Sequence, residues 1–180
     1  MRQGNLWHRS TTIFVIDEKH RFCVSKRSKE KDYCPGWLDL AFGGLVNAEE
    51  MDNMDLSALR EAEEEMGIDG LNKLKIPGGQ RHQTLMPKFV FKDKFVDSHI
   101  NGWSYVYYIP WHSSMPSNGI SIKPQQSEID LVMWLTPEQI TQKIKTGSKI
   151  TPDSILMFTK FMEWWTTKED DDISKLRSTF

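Results

Sequence analysis

Residues Gly43–Ile68 read GGLVNAEEMDNMDLSALREAEEEMGI, and the organisation of the chain follows from this stretch. A double glycine breaks an apolar segment, a loop of acids follows, and then Leu56, Leu59, Ala62 and Met66 recur at near-helical spacing until Gly67 supplies a stop. The spacing predicts a helix over Asp55–Met66, with Asp52, Asn53 or Asp55 as its N-cap. On that helix Glu61, Glu64 and Glu65 stand at i, i+3 and i+4, within an arc of about 100°. Leu59, Ala62 and Met66 turn to the other side, toward a core, and Glu63 points away from the carboxylate arc. Arg60 lies one turn before Glu64 and can pair with it.

Neighbouring carboxylates repel by roughly 0.2–0.5 kcal/mol a pair even when exposed. An acidic run alone most often marks a solvated helix face. Here a strand, a Gly-Gly turn and an acidic loop lead into it, a context that weakens that reading and keeps a cation site beside it as the alternative. Oxygen-only ligands select Mg²⁺ or Mn²⁺ over zinc. Such ions bridge diphosphate oxygens and polarise phosphorus for attack by water.

Working outward, Thr11–Asp17 and Arg21–Arg27 read as a hairpin, and Trp37–Phe42 as a short strand. Downstream, strands are expected at Leu71–Ile76, Thr84–Phe91, Trp103–Ile109 and Ile129–Leu135. Thr136-Pro137-Glu138 opens a helix that runs to about Lys145, and a last helix follows Thr151-Pro152. Strands, one helix, more strands and two helices make an α+β fold. No repeat or long linker divides it, so a single domain over 1–167 is expected, with a charged, frayed tail over 168–180.

The 180 residues suffice for one sizeable core. A net charge of −2, from 23 Lys plus Arg against 25 Asp plus Glu, argues against a dedicated nucleic-acid binder. The apolar runs are too short to span a bilayer, and Met1–Arg9 lacks the apolar core of a secretory signal. The two cysteines, Cys23 and Cys34, form neither a C-x-x-C pair nor a disulfide framework, so a cytoplasmic location is expected.

The central stretch resembles the Nudix hydrolase family, whose motif is G-x5-E-x7-R-E-U-x-E-E-x-G-U with U apolar. Gly44 and Glu50 match its opening, and Arg60 to Ile68 match its second half throughout. Nine residues, Met51 to Leu59, separate Glu50 from Arg60 where the family has seven, a two-residue loop insertion. The likeness runs from about Leu6 to about Lys145, and LWHRSTTIFVID, KDYCPGWLD and VMWLTPEQI are similar to a branch close to isopentenyl diphosphate isomerases. It implies an α/β/α sandwich around a mixed sheet.

By position, the resemblance implies that Glu61, Glu64 and Glu65 are metal ligands, or two ligands and a water-activating base, for Mg²⁺ or Mn²⁺. It adds the Gly43 carbonyl as a ligand, Arg60 as the group that orients the glutamates, and Glu50 with Gly44 as support for the loop. Glu128 is the candidate remote acid. Arg27 and Lys31 are candidates for substrate phosphates, and Trp37, Trp103 and Tyr105 for a pocket wall. His8, in the HR pair, is left without a role. Related chains carry a further strand ahead of Leu6; without it an open sheet edge is expected, which leaves a homodimer open.

The implied activity is Mg²⁺-dependent hydrolysis of a diphosphate linkage in a small molecule, a nucleoside diphosphate derivative. The alternatives are a Nudix-fold binding module without turnover, and an isopentenyl diphosphate isomerase. The isomerase needs a Cys in the strand before the glycine turn, where this chain has Leu40-Ala41-Phe42. A binding module usually lacks box glutamates that this chain retains.

Overall fold

The computed structural model describes residues 6–67, 86–97, 100–111 and 122–168. Chain order is β1 (Trp7–Asp17), β2 (Phe22–Arg27), β3 (Leu38–Asp39), a 3-10 turn at Ala48–Glu50, α1 (Met54–Met66), β4 (Lys88–Val96), β5 (Asn101–Trp111), β6 (Ile129–Leu135), α2 (Pro137–Lys145) and α3 (Pro152–Lys168). The strands form one sheet in the order β3-β2-β1-β5-β4, with β6 paired to β2. β1 and β5 are parallel from Trp7↔Asn101 to Asp17↔Trp111, while the other strand pairs are antiparallel, so the sheet is mixed.

Strand β1 explains why the fold has three layers. Alternate residues of a strand point to opposite faces. Ile13 and Val15 pack with Leu59, Ala62 and Met66 of α1 on one face. Phe14 and Ile16 pack with Phe158 and Phe161 of α3 and Ile140 of α2 on the other. All four are fully buried, which is why the stretch reads as a continuous apolar run. β2 behaves likewise, with Phe22 and Val24 on the α3 side and Cys23 on the α1 side. This is the expected α/β/α sandwich.

Helix α1 begins one residue earlier than the spacing suggests. Asn53 caps it, its side chain accepting from Leu56 N, and Gly67 closes it in the left-handed conformation at φ 65°. The expected strand over Trp37–Phe42 is shorter. Only Leu38–Asp39 ladder with β2, after which the chain crosses the sheet and Phe42 bridges to Ile13 of β1. Buried Leu40, Ala41 and Phe42 thus belong to a crossing segment, driven into the core by their apolar side chains.

Strand β4 runs on to Val96, beyond the end expected at Phe91. The alternation of exposed Lys92 and Lys94 with half-buried Phe91 and Phe95 continues the strand, and before β5 the Asp97 amide donates to the Ile100 carbonyl at 2.9 Å. The strand expected over Leu71–Ile76 lies outside the described residues, as does the tail beyond Lys168. β1 is not an open edge: β5 covers one side, and β2, Phe42 and Leu45 cover the other. The outer side of β4 has no strand partner among the described residues.

Candidate active site

The double glycine is required by contact, not by flexibility alone. Gly43 has φ 138°, and a Cβ on it would collide with the Thr11 backbone carbonyl of β1. A Cβ on Gly44 would be driven into the carboxylate of Glu61, whose Cδ would lie 2.7 Å away. The turn is pinned to β1 by the Thr11 amide donating to the Gly44 carbonyl at 2.9 Å. It is pinned to α1 by the Gly43 amide donating to Glu65 Oε2 at 2.7 Å. The turn is therefore wedged between a strand and two glutamates of the helix.

Arg60 organises the solvent side. Its Nε and Nη2 donate to the two oxygens of Glu50 at 2.8 and 3.0 Å, a bidentate pair. Its Nη1 lies 2.9 Å from both Glu61 Oε1 and Glu64 Oε2. Nη2 also reaches the Leu45 carbonyl at 3.3 Å. One guanidinium thus ties the loop after Gly44 to α1. Nine residues separate Glu50 from Arg60, and Glu50 still meets Arg60 at 2.8 Å.

The carboxylates differ in environment. Burial pushes the Glu65 carboxyl up to about 8; the Gly43 amide opposes this, while Asp39 and Glu61 add to it. Glu61, 9% exposed, is also raised by burial, with Arg60 offsetting part of the shift. Glu50 is held below the usual range by its bonds to Arg60. Two desolvated acids side by side are stabilised in their charged form by a cation. Among the described residues no three His, Cys, Asp or Glu side chains converge on one point as a ready-made centre. The donor set nevertheless suits a hard divalent cation: carboxylate oxygens of Glu61, Glu64 and Glu65, with two of them crowded against a glycine turn.

Beside the turn lies a cavity of about 310 Å³, bordered by Gly43, Gly44 and Glu65 on one side and by β1, β5 and α3 on the others. Strand alternation gives it His8, Ser10 and Thr12 of β1 with Gly102 and Ser104 of β5. Trp103 and Tyr105 consequently face the α1 side of the sheet, where the Trp103 ring lies tilted at 6.0 Å from Trp7, with the Lys92 ammonium over it. Apolar walls come from Phe95, Ile100 and Met157.

Of the remaining sequence candidates, Arg27 and Lys31 border the cavity, and both are already paired. Arg27 Nη1 lies 3.1 Å from Asp39 Oδ2, and Lys31 is ion-paired with Glu128. Glu128 therefore sits against Lys31, on the loop side of β6. Trp37 is half-buried but is not among the described residues that line the cavity; its carbonyl accepts from the Arg27 amide at 2.9 Å. Sequence reasoning missed Asp39 and Asp153, both at the cavity wall. Burial, and then the charge of Asp39, raise Asp153 to about 6, and burial also raises Asp39. A signal existed for the β1 contribution: His8, Ser10 and Thr12 are polar at alternate positions of a strand.

The family model described as NUDIX domain matches residues 6–155. The chain is 34% identical over 168 residues to the uncharacterised Nudix hydrolase YfcD of Salmonella typhi, covering 93% of this chain and 75% of that protein. Among solved structures, a MutT protein from Methanosarcina mazei superposes with a TM-score of 0.62 at 20% identity, covering 92% of this chain and 96% of that one. The NUDIX domain of Shewanella oneidensis NrtR, complexed with ADP ribose, superposes with a TM-score of 0.60 at 10% identity, covering 88% of each chain.

Proposed function

The chain belongs to the Nudix hydrolase family, which cleaves pyrophosphate bonds, and on that footing we propose that its substrate is a nucleoside diphosphate derivative and its cofactor Mg²⁺ or Mn²⁺. The observation that carries the reading is the packing of Glu61 and Glu65 against the Gly43–Gly44 turn at the rim of a 310 Å³ cavity. Glu65 held there borders the space a substrate would fill, and that space is of ligand size.

In this reading Glu61, Glu64 and Glu65 hold the cation, or two hold it and one serves as base. The cation, when bound, neutralises charge on the diphosphate oxygens. Water attacks one phosphorus, the bond from that phosphorus to the bridging oxygen breaks, and the water proton passes to a glutamate. Arg60 is the positioning residue, because it fixes Glu64 and Glu61 from one guanidinium while Glu50 holds it from behind. Gly43 supplies an amide to Glu65, and its carbonyl is the further candidate ligand. Arg27 and Lys31 stand at the cavity as secondary phosphate contacts, on condition that they exchange Asp39 and Glu128 for substrate. Glu128 acts through Lys31 in this reading.

We place the chain with the hydrolases and not with the isomerases. The positions before the turn are buried core, and Cys34 sits in the loop before Pro35. Two free cysteines, and no helix among the described residues long and apolar enough to cross a membrane, agree with a cytoplasmic small-molecule enzyme.

The test is release of phosphate or pyrophosphate with Mg²⁺ across nucleoside di- and triphosphates, nucleotide sugars and dinucleotides. Turnover that vanishes with chelator and in an E64Q/E65Q double variant is expected. Folded protein that binds Mg²⁺ but turns over no nucleoside-containing member, while cleaving a non-nucleotide diphosphate, would overturn the substrate class.

A further inference from the structure

The cavity lies on one face of β1, β5 and β4, and the opposite face of the same strands carries a different set of side chains. Strand alternation and the ladder register set two rows across it: Arg9, Trp103 and Lys94, then Thr11, Tyr105 and Lys92. The rows are about 6.8 Å apart, two residues at about 3.4 Å each. Trp7 extends the face beyond the first row, its ring 6.0 Å from that of Trp103. The Lys92 ammonium lies over the Trp103 and Tyr105 rings, 4.5 and 5.0 Å from their centroids. Trp7 is 55% exposed and Trp103 38%. These seven residues hold three aromatic rings, three cations and no carboxylate, in a chain whose net charge is −2. Among the described residues no ion pair involves Arg9, Lys92 or Lys94. Asp93, between the two lysines in sequence, turns to the other face, where Lys160 of α3 pairs with it.

The charge of this face selects its occupant. A second copy docked through it would set cation against cation, because none of the seven residues is an acid that would answer them. A bilayer takes up bare apolar side chains, whereas here an ammonium sits over two of the three rings. The complement of alternating rings and cations is a chain that alternates flat π-faces with negative charge. We propose that this face binds single-stranded nucleic acid without sequence preference, bases stacking on Trp7 and Trp103 and phosphates pairing with Arg9, Lys92 and Lys94. Lys92 then exchanges the two rings for a phosphate, which frees the Trp103 ring for a base. Arg9 is steadied for this by donating to the Met51 carbonyl at 3.0 Å. The site is separated from the cavity by the thickness of the sheet, since His8, Ser10 and Thr12 face one and Trp7, Arg9 and Thr11 the other.

Fluorescence anisotropy of labelled octathymidylate titrated with the full chain, in EDTA, tests this. A phosphodiester strand has no diphosphate linkage to cleave, so the result stands apart from the hydrolase reading. A Kd of about 1–100 micromolar is expected at about 50 millimolar salt. Three phosphate contacts at about 0.7 each give a log–log salt slope of about −2, a loss of about sixteenfold on going to about 200 millimolar. W103A is expected to weaken binding about tenfold, the effect of one lost stack. K92A/K94A is expected to flatten the salt slope to about −0.7. K145A removes an exposed cation from α2, on the other side of the sheet, and should change neither quantity. No binding at about 300 micromolar protein, wild-type affinity in folded W103A, or an unchanged slope in K92A/K94A would overturn the proposal. So would displacement of the strand by polyglutamate as readily as by unlabelled octathymidylate, which would mark a surface for anions in general. Should W103A fail to fold, W7A and K92A/K94A decide it.

Discussion

Gly44→Ala is the sharpest perturbation of the site. The new methyl carbon would lie 2.7 Å from both Cδ and Oε1 of Glu61, against an ordinary contact distance of 3.4 Å or more. Something must withdraw, and the carboxylate is the only end of that contact that can. It is not free to do so cheaply, because Arg60 Nη1 holds Oε1 at 2.9 Å and the residue is buried. A displacement of about 1 Å at a group that must meet a reacting centre costs about a hundredfold in rate. The fold should survive. Overpacking costs about 1–3 kcal/mol, and replacing glycine returns about 0.4–1 kcal/mol through the unfolded chain. Gly43→Ala is the contrasting control: its methyl would strike the Thr11 backbone carbonyl, and φ 138° is a conformation alanine rarely adopts. The assay is kcat/KM for the preferred substrate beside a thermal melt. The expected outcome is a folded, nearly inactive G44A and a destabilised G43A. A G44A enzyme with wild-type kcat/KM would refute the placement of Glu61 at the reaction.

Four further outcomes are expected. Arg60→Lys replaces a fork that spans Glu50, Glu61 and Glu64 by a single ammonium, so kcat/KM should fall by about tenfold or more while a melt shifts little. Mg²⁺ should bind more tightly as pH rises through about 8, where Glu65 ionises, with about one proton released; calorimetry in buffers of different ionisation enthalpy reads this directly. The Asp153 carboxyl has a raised folded pKa of about 6, so the native state binds the proton more tightly than the unfolded chain does. Stability should therefore fall as pH rises from about 4 to about 6, and urea titrations of D153N should show that slope flattened. Phe161→Ala should cost about 3–5 kcal/mol in the same titrations, because its ring is fully buried against Phe14, Phe22 and Trp165.

Periodic segments were legible in the sequence. Helix α1 could be placed within a residue because an apolar period, a cap and a glycine stop agree, and its carboxylate arc followed from helical geometry alone. The crossing at Leu40–Phe42 was not legible as such, since a buried crossing and a short buried strand have the same apolar composition. The candidate site divides in the same way. Glu61, Glu64, Glu65 and Arg60 lie within six residues, so local spacing finds them. The cavity wall draws on β1, β3, β5 and α3, from His8 to Asp153, and only tertiary packing brings those together.

The alternation of β1 connects the two halves of the site. Its odd residues Ile13 and Val15 anchor α1, so they set where the glutamates stand. Its even residues His8, Ser10 and Thr12 line the cavity, so they shape what lies beside the glutamates. Thr11 joins the two, because its amide and carbonyl clamp the glycine turn that Glu61 and Glu65 pack against. A shift of one residue in the β1–β5 register would exchange the faces, placing Ile13 and Val15 where the cavity is and His8, Ser10 and Thr12 under α1. The register is held by eleven consecutive residue pairs along the parallel ladder. Substitutions at positions 8, 10 and 12 of β1 therefore alter the cavity and leave the seat of α1 intact.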